Sequence, residues 1–297
     1  MGEAITPRPP LSRRLLPRLL LVTVSLALSL LIGELAVRLL RPQEAMTITP
    51  RGLYVPDPPR RYRLRPGYVG TMTNHVEFAH RVAINGYGMR GREAAGRREP
   101  GVLRVLVLGD SFTFGVGAAE DETYPARLEA HLREAGVRAT VANAGAPGYG
   151  VPDEVAWYER WGPEVAPDVV VIAPFLANDL QDAAPATSVR VVGGELVAGD
   201  QRGGARRWLY YHSHLFRLLK SSLLEGALRG RLGLAEPWAR RQQRAELALY
   251  APAPPAELGA AIAATDAAIA RFAKLTTERH ERAVAVLVPS LPQVDPR

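Results

Sequence analysis

The sequence predicts a mixed α/β domain built on a parallel sheet, preceded by one apolar helix able to cross a membrane. Three observations carry this. Strand-like runs at 102–108, 138–142, 168–174 and 283–288 alternate with helical stretches at 123–135, 152–161 and 256–281. Such alternation is the pattern of parallel strands joined by crossover helices. The first run, Val102 to Leu108, is nearly all aliphatic and leads straight into Gly109-Asp110-Ser111. A strand buried on both faces reads this way, and ligands of such sheets gather at the carboxyl ends of the strands. The third observation is Leu15–Leu40, whose core from Leu19 to Gly33 carries no charge.

Taken in order, residues 1–14 form a tail that holds Arg8, Arg13 and Arg14 against one acid, Glu3. Residues 15–41 are the anchor. Its uncharged core is short for the ~20 residues that span a bilayer, and Arg18 and Arg38 extend the span by snorkelling at its ends. The arginine excess before the core predicts a cytoplasmic N-terminus and an exported C-terminal domain, periplasmic or extracellular. No small-x-small site follows the core, so an uncleaved anchor is expected rather than a signal peptide. Residues 42–100 follow as a proline-rich linker and a β lead-in. Pro50, Pro56, Pro58, Pro59 and Pro66 predict an extended chain up to 66. Patches within 75–84 read as strand, and Asn85-Gly86 as a hairpin turn.

The core begins near 101. Within it, 182–255 interrupts the alternation and reads as an insertion. There Trp208, Tyr211, Leu215, Leu218, Leu219 and Leu223 recur at helical spacing. That predicts a helix packed on the domain; a lid and a membrane-surface helix are the alternatives. Glu278, His280 and Glu281 read as the solvated face of the last helix.

Composition excludes several functions. Cysteine is absent, so disulfides, thiolate catalysis and cysteine-ligated zinc are excluded. The net charge is +7, yet the positive charge is scattered arginine, with lysine only at Lys220 and Lys274. No basic run is interleaved with aromatics, and no nucleic-acid partner is expected. Gly115-Val116-Gly117 meets Glu120 where a dinucleotide fingerprint needs glycine, and no P-loop is present. His212 and His214 read as surface residues. No cofactor and no metal are therefore expected.

Three motifs stand out, each at the end of a predicted strand. The first is Gly109-Asp110-Ser111-Phe112-Thr113-Phe114-Gly115. The second is Asn143-Ala144-Gly145-Ala146-Pro147-Gly148. The third is Leu176-Ala177-Asn178-Asp179. Together they resemble the serine, glycine and asparagine blocks of the SGNH (GDSL) hydrolase family. The third block usually reads G-x-N-D there, so Leu176 departs from it. The lead-in Asn85-Gly86-Tyr87-Gly88-Met89-Arg90 resembles that of membrane-anchored members.

The resemblance implies a three-layer α/β/α, flavodoxin-like domain. It makes Ser111 the nucleophile and assigns three oxyanion donors: the Ser111 N–H, the Gly145 N–H and the Asn178 amide. Asp110 and Asp179 are expected to brace these loops. The implied substrate is an acyl ester, above all an acetylated polysaccharide of the envelope. A polysaccharide O-acetyltransferase is the alternative.

The family's base lies in an Asp-x-x-His motif near the C-terminus. The histidines here are His75, His80, His131, His212, His214 and His280, and none has aspartate three places before it. The domain at 101–297 is therefore expected to be C-terminally incomplete. A catalytically inactive anchored module is the alternative.

Overall fold

The structure is a computed structural model. It describes residues 11–43, 48–58, 61–74, 77–92, 99–175, 178–183, 189–198, 204–219 and 256–289. The chain divides into two compact units, residues 1–45 with 203–240 and residues 46–202 with 241–297.

The first unit holds the apolar helix α1 (Leu11–Leu40). From Pro17 onward it is long and apolar enough to cross a membrane, and its side chains are not buried in protein.

The second unit begins with two antiparallel pairs. They are β1 (Tyr54–Pro56) with β2 (Tyr62–Leu64), and β3 (Val69–Thr73) with β4 (Ala79–Ala83). The expectation of a plain linker up to 66 is corrected here. Leu53, Tyr54, Tyr62 and Leu64 are buried in the main core, and in β2 the alternation Tyr62-Arg63-Leu64 turns two apolar side chains inward. The hairpin turn expected at Asn85-Gly86 is present, and the β3–β4 hairpin adds another. Asn74 makes the latter, its Oδ1 accepting from the N–H groups of Glu77 and Phe78 at 2.8 and 3.1 Å. Asn85 closes a tight turn between Ile84 and Arg90, which pair antiparallel. Its Oδ1 accepts from Tyr87 and Met89 N–H, both at 3.0 Å.

The central sheet follows. β5 (Leu103–Gly109) leads into α2 (Ser111–Phe114) and α3 (Tyr124–Glu134). β6 (Ala139–Asn143), α4 (Val151–Val165), β7 (Val169–Ala173) and the one-turn α5 (Asp179–Asp182) come next. A hairpin of β8 (Val189–Val192) and β9 (Glu195–Ala198) is antiparallel. In the first unit lie α6 (Gly204–His212) and α7 (His214–Leu219). The predicted helix there breaks at Ser213, and Leu223 lies outside the described residues. Back in the second unit are α8 (Ala256–Glu278) and β10 (Arg282–Ala285).

The sheet is parallel, in the order β10-β7-β5-β6. Its layers follow from side-chain alternation along the strands. Val105, Val107 and Val171 pack toward Tyr124, Leu128 and Leu132 on α3. Leu106, Leu108, Val170 and Ile172 join a second core with Val155 and Tyr158 of α4 and Phe272 and Leu275 of α8. One helix layer on each face makes the three-layer α/β/α arrangement, with β5 in the middle of the sheet. The last helix ends at Glu278, sooner than expected. His280 turns the chain in a left-handed conformation (φ 57°), and Glu281 accepts a hydrogen bond from the hydroxyl of the buried Tyr158.

Candidate active site

Ser111 sits at the carboxyl end of β5, as the first residue of α2. That single turn is capped at both ends. Asp110 accepts from the Phe112 N–H at 2.8 Å, and Gly115 (φ 84°) donates its N–H to the Ser111 carbonyl at 2.9 Å. The turn folds back tightly on its own strand. A Cβ on Gly109 would lie 1.9 Å from Thr113 Oγ1, so only glycine fits there. Ser111 Oγ donates to Asp110 Oδ2 at 3.1 Å. Asp110 is fully buried, and burial pushes its pKa up.

Two residues beyond the three motifs' expected roles hold this turn. Asn143, the last residue of β6, donates its amide to the Thr113 carbonyl at 2.8 Å. Arg90, from the lead-in, is buried and pairs antiparallel with Asn143. Its guanidinium donates to the carbonyls of Phe114, Gly115 and Ala118 at 2.6, 2.7 and 2.7 Å. A cation at the carbonyl end of a helical turn is also favoured by the turn's dipole. Sequence spacing carries no sign of this contact, since 24 residues separate Arg90 from Phe114.

The second motif differs from expectation in one respect. The Gly145 N–H is donated to Asn143 Oδ1 at 3.0 Å and is not free for a substrate. A Cβ on Gly145 would lie 2.3 Å from the Phe114 nitrogen, so this glycine serves close packing against α2. The other amides of the loop can be followed one by one. Those of Ala144, Ala146 and Tyr149 go to the carbonyls of Val107, Gly109 and Ala146. That of Gly150 goes to Asp153. The Gly148 N–H has no partner among the described residues. Gly148 stands at φ 80°, and its carbonyl accepts from Arg61 at 3.1 Å.

The third motif is described from Asn178; Leu176 and Ala177 lie outside the described residues. The Asn178 amide donates to Asp182 Oδ2 at 2.8 Å, which leaves its second N–H available. Asp179 is buried and accepts from the Phe175 N–H at 2.7 Å, bracing the loop. Phe175 meets Phe112, ring centroids 4.0 Å apart, and so links the serine and asparagine loops. Phe112 is half exposed.

Beneath these loops lies a group of acids. Burial, then the charge of Asp110, pushes Asp179 up to about 8. Asp182 rises to about 6, also chiefly through burial. Glu154, on the first turn of α4, is 1% exposed, and neither of its carboxyl oxygens has a partner among the described residues. Burial and the neighbouring acids hold it well above the usual carboxylate range. Asp153 pairs with Arg61 at the rim. Among the described residues, no three histidine, aspartate or glutamate side chains are arranged to hold a metal ion. A cleft of about 830 Å³ lined by Pro167, Asp168, His280 and Arg282 lies at the opposite, amino end of the strands.

Comparison with known proteins identifies the family. The model of the GDSL-like lipase/acylhydrolase family matches residues 107–294. Among solved structures, the SGNH-hydrolase family esterase AlinE4 is 20% identical, with 64% of this chain and 77% of that chain covered and a TM-score of 0.27. Two substitution variants of AlinE4 are 17% and 19% identical at the same coverage, with TM-scores of 0.25 and 0.28. No curated protein sequence matches the chain. The family match starts within β5 and takes in all three motifs, so the chain belongs to the GDSL-like lipase/acylhydrolase family, the SGNH hydrolases.

Proposed function

We propose that this protein is a membrane-anchored serine esterase that removes acyl groups, above all acetyl, from polysaccharide of the cell envelope. The observation that carries the reading is the placement of Ser111. It heads a doubly capped turn at the carboxyl end of the middle strand, where an α/β sheet presents a nucleophile. In the proposed reaction, Ser111 Oγ attacks the ester carbonyl carbon and its proton passes to a base. The carbonyl oxygen takes up the negative charge. The Ser111 N–H, the Gly148 N–H and the free N–H of Asn178 are the proposed donors to it, Gly148 replacing Gly145. The intermediate collapses, the alcohol leaves with a proton, and water then releases the acid from acyl-Ser111.

The resemblance implies an Asp-x-x-His pair as the base, and residues 1–297 contain no such pair. Among the described residues, no histidine is hydrogen-bonded to Ser111 Oγ, whose partner is Asp110. That observation favours, as a second reading, a catalytically inactive anchored module. A sugar hydroxyl taking the acyl group in place of water would make the same site an O-acetyltransferase.

In a form of the protein that carries the Asp-x-x-His block, a fluorophosphonate probe should label Ser111, and Ser111→Ala should abolish labelling. Asn178→Ala should lower kcat by ~10²–10³ with KM little changed. Labelling that survives Ser111→Ala would remove Ser111 from its role. Hydrolysis of p-nitrophenyl acetate by residues 1–297 no faster than by the Ser111→Ala variant would fit the inactive module and equally an esterase domain without its Asp-x-x-His block; faster hydrolysis would exclude the inactive module.

Residues 15–41 are proposed as the anchor, with the N-terminus cytoplasmic and the domain outside. The apolar helix and the preceding arginines support this. The protein should remain in the membrane pellet after a carbonate wash. Protease added to spheroplasts should digest the region after Pro42; full protection of that region would reverse the orientation.

A further inference from the structure

Within the first unit, the outer end of α1 is bound to the α6–α7 hairpin by side chains that belong to the apolar span. Glu34 accepts hydrogen bonds from Ser213 Oγ at 2.7 Å, from the His214 N–H at 2.9 Å and from the Leu215 N–H at 2.9 Å. Arg38, one helical turn on, donates to Glu34 at 3.1 Å and to the His212 carbonyl at 3.0 Å. The Gln43 N–H donates to His214 Nδ1 at 2.8 Å. Leu215 packs on the bare backbone of Gly33, where a Cβ would lie 3.2 Å from its Cδ2. The break between α6 and α7 therefore has a cause. It supplies the two backbone N–H groups and the hydroxyl that Glu34 requires.

Depth follows from helix geometry. A hydrocarbon core of ~30 Å centred on the uncharged stretch 19–33 reaches about residue 36, at a rise of ~1.5 Å per residue. Glu34 then lies just inside the boundary and Arg38 just outside it. A carboxylate at that depth is costly unless it is hydrogen-bonded, and its donors must lie at the same depth. Apart from Arg38 of α1 itself, the residues that hydrogen-bond to Glu34 are those of the hairpin. Beside them Trp208 is 59% exposed, and Leu209 and Leu219 are also exposed. Tryptophan and leucine on an amphipathic helix, with arginines in the same segment, suit the boundary between acyl chains and headgroups.

We infer that the α6–α7 hairpin is a lipid-binding element, docked on the anchor through Glu34 and lying in the outer interface of the bilayer with Trp208 against lipid. This rests on the reading of α1 as a membrane span. It adds a second membrane contact to the chain, supplied by a segment some 170 residues from the anchor in sequence.

The test uses the full chain, reconstituted in vesicles of phosphatidylcholine with or without bromine on the acyl chains near the headgroup. Wild type should lose tryptophan emission in the brominated vesicles. Trp208→Phe should remove most of that loss, leaving only what the other three tryptophans contribute. Glu34→Ala should reduce the loss while the protein still floats with the vesicles. Flotation with the same bromine quenching in wild type and Trp208→Phe would overturn the inference and leave the anchor intact. Unchanged quenching in Glu34→Ala would overturn the docking through Glu34. Failure of wild type to float would instead overturn the membrane span itself, and the inference with it.

Discussion

Ser111 is held by the hydrogen bonds of residues around its turn. Asp110 caps the turn from below, Asn143 holds the Thr113 carbonyl, and Arg90 holds three more carbonyls beyond it. Arg90 is a positioning residue on this geometry. Its planar fork meets several acceptors at once, which a lysine ammonium cannot do in the same place. Each buried carbonyl left without a donor costs about 1–3 kcal/mol. Arg90→Ala should therefore lower the Tm strongly. Arg90→Lys should fold with a smaller loss of Tm but slow the fluorophosphonate labelling of Ser111. Labelling at the wild-type rate in Arg90→Lys would show that Arg90 stabilises the fold without positioning the serine. In the sequence Arg90 is visible only as part of a lead-in motif. The motif marks the segment, and only the pairing with Asn143 shows what it reaches.

At the scale of elements, strand and helix positions agree with the sequence to within a few residues in the central sheet. The hydrophobic pattern there is strong, because a sheet covered on both faces leaves little room for polar residues. The region before 66 is harder to read, because its prolines suggest an unpacked chain. Proline is tolerated at a strand end, as Pro56 at the end of β1 shows. β10 presents a different problem. It lies at the edge of the described sheet, and Val284, Val286 and Leu287 are exposed along and just past it. An edge strand with exposed apolar residues is a template for association. Residues 46–297, produced without the apolar helix, should therefore self-associate in light scattering, and Val286→Lys should reduce this. A wild-type fragment that stays monomeric at high concentration would contradict the expectation.

For the molecule as a whole, the buried acids under the active-site loops determine how stability varies with pH. Asp179 and Asp182 have pKa values raised from 3.8 to about 8 and about 6 in the fold. Between those values and the unfolded one, the folded state binds more protons than the unfolded state. Stability from these groups is then complete below about pH 4 and is lost as pH rises through 6 and 8. The urea midpoint of the full chain in detergent should fall from pH 5 to pH 8.5. Asp179→Asn should flatten the upper part of that slope, since its amide cannot ionise. A midpoint that rises over the same range would show these carboxylates ionised and paired in the fold.

The sequence by itself determined the family, the parallel sheet, the apolar span and the positions of Ser111 and Asn178. These are local properties. A two-faced strand, a glycine-bounded serine turn and a long uncharged helix each leave a continuous pattern along the chain. Tertiary structure decided the rest. It showed that Gly145 commits its N–H to Asn143 and leaves the Gly148 N–H as the loop's unpaired donor among the described residues. It brought Arg90 onto the Ser111 turn and gathered Glu154, Asp179 and Asp182 beneath it. It split the insertion, giving β8 and β9 to the domain and α6 and α7 to the unit of the apolar helix. The reach of Arg90 and the docking of α6 and α7 depend on which donor meets which acceptor across long sequence separations, and a pattern read along one chain holds no record of such pairings.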